Sequence, residues 1–339
     1  MTFQLTIRRQ APDRGAYWQT FELEIDPSLT ILDALIQIKG YYDGSLSFRK
    51  NCRNTICGSC AMTINGRSAL ACQQSIRAEL ANSPVPNQIA IAPLGNLPVL
   101  KDLVVDMSAF WQKLSAVNPY VSTAARQVPE REFLQSPSDR AKLNASGNCI
   151  LCGACYGACN AVEVNPDFVG PHALAKAARL VADTRDSETD QRLEQYNTAS
   201  SGVWGCTRCF NCNTVCPVGV QPLDRISEIK QAILARSTTA TRNLDRPLRH
   251  RQVLLELVKE GGWVDERQFG LRVVGNHFRD LQGVVSLAPL GWRLLRRGKF
   301  PLRFEKSAGQ AQIQAVITAL QQRQPSSKMG VHREGFTPS

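Results

Sequence analysis

Apolar and polar residues alternate strictly at the start of the chain, through Phe3, Leu5 and Ile7 and again through Phe21, Leu23 and Ile25. This period of two marks half-buried strands and predicts a hairpin. Thr30 stands where it caps a short helix carrying Ile31, Leu35 and Ile36,. Asn65-Gly66, between apolar segments at 62–64 and 69–71, is a type I′ turn signal that folds Cys72 back toward Cys60,. Beyond about residue 106 the period changes to that of helices. Leu174, Ala178 and Val181 form one set, and Leu223, Ile226, Ile229 and Ile233 another, the latter behind Pro222, which suits a first helical turn,. The stretch 183–202 between them is rich in Asp, Glu, Ser and Thr and reads as a loop or an exposed helix,. The longest apolar runs, such as 284–292, are broken by Ser286, Pro289 and Gly291. They fall short of the ~20 residues of a spanning helix, so no membrane crossing is expected.

A length of 339 residues predicts two or three domains,. With 20% charged and 43% hydrophobic residues, the composition fits a soluble globular chain and neither a disordered nor a collagen-like one,. Patterning divides the chain into 1–105, mixed in character, 106–240, helical and built on two similar halves, and 241–339, a basic C-terminal extension. The formal net charge is +11, and 241–339 alone holds 17 Lys+Arg against 8 Asp+Glu, a net of +9. There Arg293, Arg296, Arg297 and Lys299 follow Val284, Val285, Leu287, Leu290 and Trp292, a basic amphipathic stretch,. The final PSSKMGVHREGFTPS has the composition of a disordered tail,.

The 12 cysteines fall into three groups of four. The N-terminus, MTFQLTIRRQ, lacks the apolar core of a signal peptide, so a reducing compartment is expected and the groups read as metal ligands,. Cys52, Cys57, Cys60 and Cys72 have the spacing C-x4-C-x2-C followed by a distant cysteine, that of plant-type 2Fe-2S ferredoxins,. The small Gly58 and Ser59 allow a loop to wrap closely there. A zinc site is the rival, but zinc sites usually pair two well-separated short motifs. The second and third groups both read C-x2-C-x2-C-x3-C, the run of bacterial ferredoxins, in which the fourth cysteine serves the other cluster,. One set is then Cys149, Cys152, Cys155 and Cys216, and the other Cys159, Cys206, Cys209 and Cys212. His172, His250, His277 and His332 lie outside these loops and read as surface or helix-end residues, which disfavours a Rieske-type centre,. Neither G-x-G-x-x-G nor a P-loop is present, so no nucleotide or flavin site and no catalytic residue is assigned,.

With these residues in place, FRKNCRNTICGSCAMTINGRSALAC followed by PLGNLPVLKDLVVDM resembles the N-terminal domain of the iron–sulfur subunit of succinate dehydrogenase and fumarate reductase. The resemblance covers about residues 1–236 and includes NPDFVGP and the DTRD of 183–186. It implies an α+β chain: a β-grasp plant-type ferredoxin domain, an all-α bacterial-ferredoxin-like domain and a helical C-terminal extension. It also implies a place between an FAD-containing flavoprotein that interconverts succinate and fumarate and a membrane anchor that handles quinone, peripheral on the cytoplasmic face of an energy-transducing membrane. Cys209 stands where common members have an aliphatic residue and a 3Fe-4S cluster, so a second 4Fe-4S cluster is expected beside the 2Fe-2S and first 4Fe-4S clusters. Val164 and Thr207 replace a Trp and a His of the usual quinone pocket, and Asn160 replaces a Pro. The long basic tail resembles a minority class with cysteine-rich peripheral anchors. With its apolar residues inserted and its Arg and Lys at the headgroups, 284–304 is expected to dock such an anchor or an anionic membrane surface, the alternative being a solvated helical hairpin.

The function expected is electron transfer in a succinate dehydrogenase. Alternatives are a fumarate reductase or another flavoprotein system, such as a thiol-linked fumarate reductase or a 2-hydroxy-acid oxidase. A zinc-stabilised nucleic-acid binder rests only on the +11 charge and basic tail, and few aromatics and no reading module argue against it,.

Overall fold

The alternating N-terminal segments form an antiparallel hairpin, β1 (Thr2–Ala11) with β2 (Arg14–Glu24), running from Thr2 opposite Glu24 to Arg9 opposite Tyr17. The computed structural model describes residues 2–11, 13–198, 200–237, 246–299 and 303–323. After the hairpin come α1 (Ile31–Gln37), β3 (Ala61–Ile64), β4 (Arg67–Leu70), α2 (Ile76–Ala81) and β5 (Gln88–Ala92). The five strands make one mixed sheet in the order β2-β1-β5-β3-β4, with β5 parallel to β1. β6 (Val99–Lys101) and β7 (Val104–Val105) form a small second sheet. Phe3, Leu5, Ile7, Leu23, Ile31, Leu35, Ile89 and Ile91 share one buried cluster, so α1 and the sheet enclose a common core. Each such Leu or Ile contributes about 1.5–3 kcal/mol on full burial.

Local signals set the corners of this layer. Thr30 and Asp33 form a capping box: Asp33 N–H donates to Thr30 Oγ1 at 3.2 Å, and Thr30 N–H donates to Asp33 Oδ2 at 3.1 Å. Thr30→Ala is expected to cost about 1 kcal/mol, read from the urea midpoint at unchanged m value. Asn65 and Gly66 have φ of +48° and +78°, the two left-handed residues a type I′ turn demands, so β3 and β4 pair directly,. Under the sheet, buried Arg9 donates to Asp102 at 2.9 Å and to Asp43 at 2.8 Å, tying β1 to the β6–β7 turn.

The helical part runs through α3 (Ser108–Ser115), α4 (Pro137–Gly147), α5 (Ala154–Gly157), α6 (Asn160–Val164), α7 (Pro171–Ala182), α8 (Thr189–Tyr196), α9 (Asn211–Thr214) and α10 (Pro222–Ser237). It belongs with the sheet to one compact unit, Met1–Ile233. Helix α7 is its hub. It begins with Pro171, buries an alanine-rich face, and is packed by α3, α4, α5 and α8.

Two expectations are corrected here. The polar stretch 183–202 is only in part a loop and only in part exposed: residues 189–196 form α8, and Asp183, Asp186, Arg192, Leu193 and Tyr196 are buried. Arg192 pairs with Asp186 at 3.0 Å and donates to the carbonyls of Asn118 at 2.9 Å and Tyr120 at 2.7 Å. Compensated charges tolerate a burial that polar composition alone conceals. His172 is not a surface residue but 1% exposed, stacked on Phe110 with ring centroids 3.9 Å apart. Burial lowers its pKa to about 4, keeping it neutral, and because a carbonyl only accepts, Nε2 donates to Phe110 O at 2.9 Å,.

The second unit, Leu234–Ser339, contains α11 (Arg246–Gly261), α12 (Glu266–Val273), α13 (Leu281–Arg296) and α14 (Gln310–Arg323). Val253, Leu257 and Val273 are its fully buried cluster, with Val264, Phe269 and Val274 packed around them. Asp265 and Asp280 cap α12 and α13. The segment 325–339, whose composition suggested disorder, lies outside the described residues. Among the described residues no helix is long and apolar enough to cross a membrane.

Candidate iron–sulfur sites

The first cysteine loop is bent by left-handed residues, Arg53 at φ +57°, Thr55 at +56° and Gly58 at +69°, which turn backbone N–H groups inward,. Asn54 and Cys57 N–H both donate to Cys52 Sγ at 3.3 Å, and Cys52 N–H donates to Cys57 Sγ at 3.5 Å. Burial alone raises the Cys57 thiol, but bonds from the Ser59 side chain and the backbone of Cys52 and Ser59 outweigh it and bring the pKa to about 6. Cys60 lies in the sheet core, and burial raises its thiol to about 12, with Cys72 and Cys57 beside it. Cys72 reaches it because the β3–β4 turn brings Ala71 N–H onto Cys60 O at 3.1 Å. The loop is therefore deep at Cys60 and exposed at Cys52.

The two helical runs build matching turns. Leu151 and Gly153 in one, at φ +55° and +83°, correspond to Arg208 and Phe210 in the other, at +59° and +67°. Short helices follow at equivalent positions, α5 and α9, and pack on each other. A lysine from the next long helix donates to the carbonyl of each run's first cysteine: Lys176 to Cys149 and Lys230 to Cys206, both at 3.4 Å.

Cys149, Cys152, Cys155 and Cys216 line one small pocket, together with His172, Pro217 and Val220. Cys159, Cys206, Cys209 and Cys212 line another, with Phe168, Thr207, Phe210 and Ile226. Each cavity draws three cysteines from one run and the fourth from the other. Burial raises the thiol of Cys155 far above its usual range, that of Cys152 to about 11 and that of Cys212 to about 12; it raises Cys159 as well. Such thiols bind metal by giving up their protons to it.

Among the described residues no three His, Cys, Asp or Glu side chains are gathered for a single ion. Sulfurs on one zinc at ~2.3 Å lie only about 3.8 Å apart. Two sets of four thiols, each with three cysteines from one run and the fourth from the other, are the donor set that iron–sulfur clusters take,.

Contacts arrange the three sites in series. A Cβ built on Gly58 falls 2.7 Å from Cys152 Cβ, so the first loop touches the second site backbone to side chain. Asn211 Nδ2 donates to Ala158 O at 3.2 Å and joins the second run to the third. At the far end Cys209 is exposed, as are Phe210 and Val164.

Residues 4–112 match the family model of a 2Fe-2S iron–sulfur cluster binding domain, and residues 145–220 that of a 4Fe-4S dicluster domain. The fumarate reductase iron–sulfur subunit of Mycobacterium tuberculosis is 38% identical over 228 residues, 67% of this chain and 89% of the relative. The chain belongs to the succinate dehydrogenase and fumarate reductase iron–sulfur subunit family. The succinate dehydrogenase iron–sulfur subunit of Coxiella burnetii, another relative, is 34% identical over 237 residues, 69% of this chain and 97% of that one. A chain of the Mycobacterium smegmatis Sdh1 complex in the apo form shares the fold, with a TM-score of 0.63 and 23% identity over 71% of this chain and 98% of that one. As a family member the chain is an oxidoreductase subunit with a 2Fe-2S domain ahead of a helical 4Fe-4S region; residues 221–339 lie outside both family models.

The sequence reading missed His172, the Asp186–Arg192 pair and the Gly58–Cys152 approach. Only the pair left a signal, an Arg six residues beyond the DTRD aspartate.

Proposed function

We propose that this chain is the electron-transfer subunit of a succinate dehydrogenase, working between an FAD-containing flavoprotein and a quinone-side acceptor at the cytoplasmic face of a membrane. Fumarate reduction is the same path in reverse, and the relatives carry both names. The observation that carries the reading is the gathering of four cysteines around each of two cavities, in contact series with the first cysteine loop. On this reading Cys52, Cys57, Cys60 and Cys72 hold a 2Fe-2S cluster, and Cys149, Cys152, Cys155 and Cys216 a 4Fe-4S cluster. Cys159, Cys206, Cys209 and Cys212 hold a second 4Fe-4S cluster. Bound clusters supply one-electron transfer at potentials set by cluster type, hydrogen bonding and burial.

The chain's own residues do the rest. Backbone N–H groups of 54 and 57 both donate to the Cys52 sulfur. The Gly58 contact keeps the first and second ligand sets adjacent. Exposure at Cys52 and Cys209 leaves each end of the series open to a partner.

The test is purification with native partners, followed by iron and sulfide assay, succinate-dependent dye reduction and fumarate reduction by a reduced viologen. About ten irons and ten sulfides per chain are expected, with succinate oxidation the faster activity. Zinc in place of iron, or inactivity toward both substrates, overturns the proposal. Cys209→Ser is expected to convert the third cluster to a 3Fe-4S form, visible as a new EPR signal in the oxidised protein. That signal already at full strength in the wild type removes Cys209 from the ligand set.

A further inference from the structure

Helix α13 has two apolar faces. Val284, Leu287, Gly291 and Leu294 are half-buried and form the inner one. Leu281 at 71% exposure, Val285 at 70%, Trp292 at 69% and Leu295 at 55% form a second, with exposed Ala288 among them. Spacings of four, three, four and three residues place these five on a single stripe along the helix. Stable chains seldom leave such a stripe in water without a partner for it.

Charge identifies the partner. Arg293, Arg296, Arg297 and Lys299 border the stripe at its C-terminal end, and no acidic residue occurs between Asp280 and Glu305. Among the described residues no carboxylate is paired with any of these four cations. A convex helix with Leu, Val and Trp on one side and arginines beside them has the design of a segment lying in a lipid interface, where long cationic side chains reach the headgroups.

We propose that α13 lies in the plane of an anionic lipid surface, with Leu281, Val285, Ala288, Trp292 and Leu295 inserted among the acyl chains and Arg293, Arg296, Arg297 and Lys299 on the headgroups. This attaches the second unit to the membrane directly, through lipid. It goes beyond the electron-transfer reading and does not depend on it.

The experiment is co-sedimentation of the full chain, clusters in place, with vesicles of phosphatidylcholine alone or mixed with phosphatidylglycerol. Binding is expected only to the mixed vesicles and should weaken as salt rises. Val285→Gln with Trp292→Gln should lower binding at least about tenfold. Arg293→Gln, Arg296→Gln and Arg297→Gln together should lower it on the order of a hundredfold, about fivefold for each charge. All five positions are exposed, so melting and cluster absorbance should match the wild type in both variants. Failure to bind anionic vesicles, equal binding to neutral ones, or undiminished binding by the stripe variant overturns the proposal. So does a chain that ignores vesicles yet captures a protein partner through α13. None of these outcomes alters the iron content or succinate activity that test the electron-transfer reading.

Discussion

Arg192→Met is expected to destabilise the first unit by about 3–5 kcal/mol, the cost of leaving one member of a buried ion pair alone. The guanidinium is 2% exposed and the Asp186 carboxylate 0%, joined by Nη2 to Oδ1 and Nε to Oδ2, both at 3.0 Å. Removing the cation strands a carboxylate whose other partners, the N–H groups of Ser122 at 2.9 Å and Glu188 at 3.1 Å, do not neutralise it. The carbonyls of Asn118 and Tyr120 lose their donor at the same time. Against a total stability of roughly 5–15 kcal/mol, that loss is a large fraction. Urea unfolding of the cluster-loaded chain measures it. Asp186→Asn combined with Arg192→Met should recover a substantial part, because the stranded charge is gone. A single variant that melts with the wild type would show that water reaches Asp186.

Gly58→Ala should be the most damaging single-methyl change in the chain's first loop. The new Cβ meets Cys152 Cβ at 2.7 Å and Cys152 Cα at 2.8 Å, and Gly58 holds φ at +69°. A side chain in the left-handed region costs about 1–2 kcal/mol, and overpacking about 1–3 more. The clash is with a cysteine of the neighbouring site and not with a flexible chain end, so relief requires the two loops to part. Lower melting temperature, loss of 2Fe-2S absorbance and reduced iron are expected together. Gly40→Ala, where no atom lies within 4 Å, is the control and should change none of them. Wild-type iron content and melting in Gly58→Ala would show the two loops to be independent.

These two residues mark where reading the sequence stops. The N-terminal hairpin, the capped helix, the Asn65-Gly66 turn and the two long helices after the cysteine runs are all encoded within a few neighbouring residues. Period, cap and turn chemistry therefore reveal them. The 183–202 stretch misleads because composition registers polarity and not pairing: Arg192 and Asp186 look like solvated charges until they are seen to neutralise each other. His172 misleads for a related reason, since its neutral form buries readily against Phe110 once Nε2 has a carbonyl.

By itself the sequence determined which donors the chain offers, how they are spaced, which segments alternate and which are helical, and how positive charge collects in the last hundred residues. The tertiary structure alone decided that Gly58 meets Cys152, 94 positions away. It also decided that Cys60, Cys159 and Cys212 are buried while Cys52 and Cys209 reach the surface, and that α13 turns a second apolar stripe outward. Ligand spacing and hydrophobic period are local properties of the chain. Burial and close approach arise only when distant segments pack, and no window of sequence contains both sides of that contact.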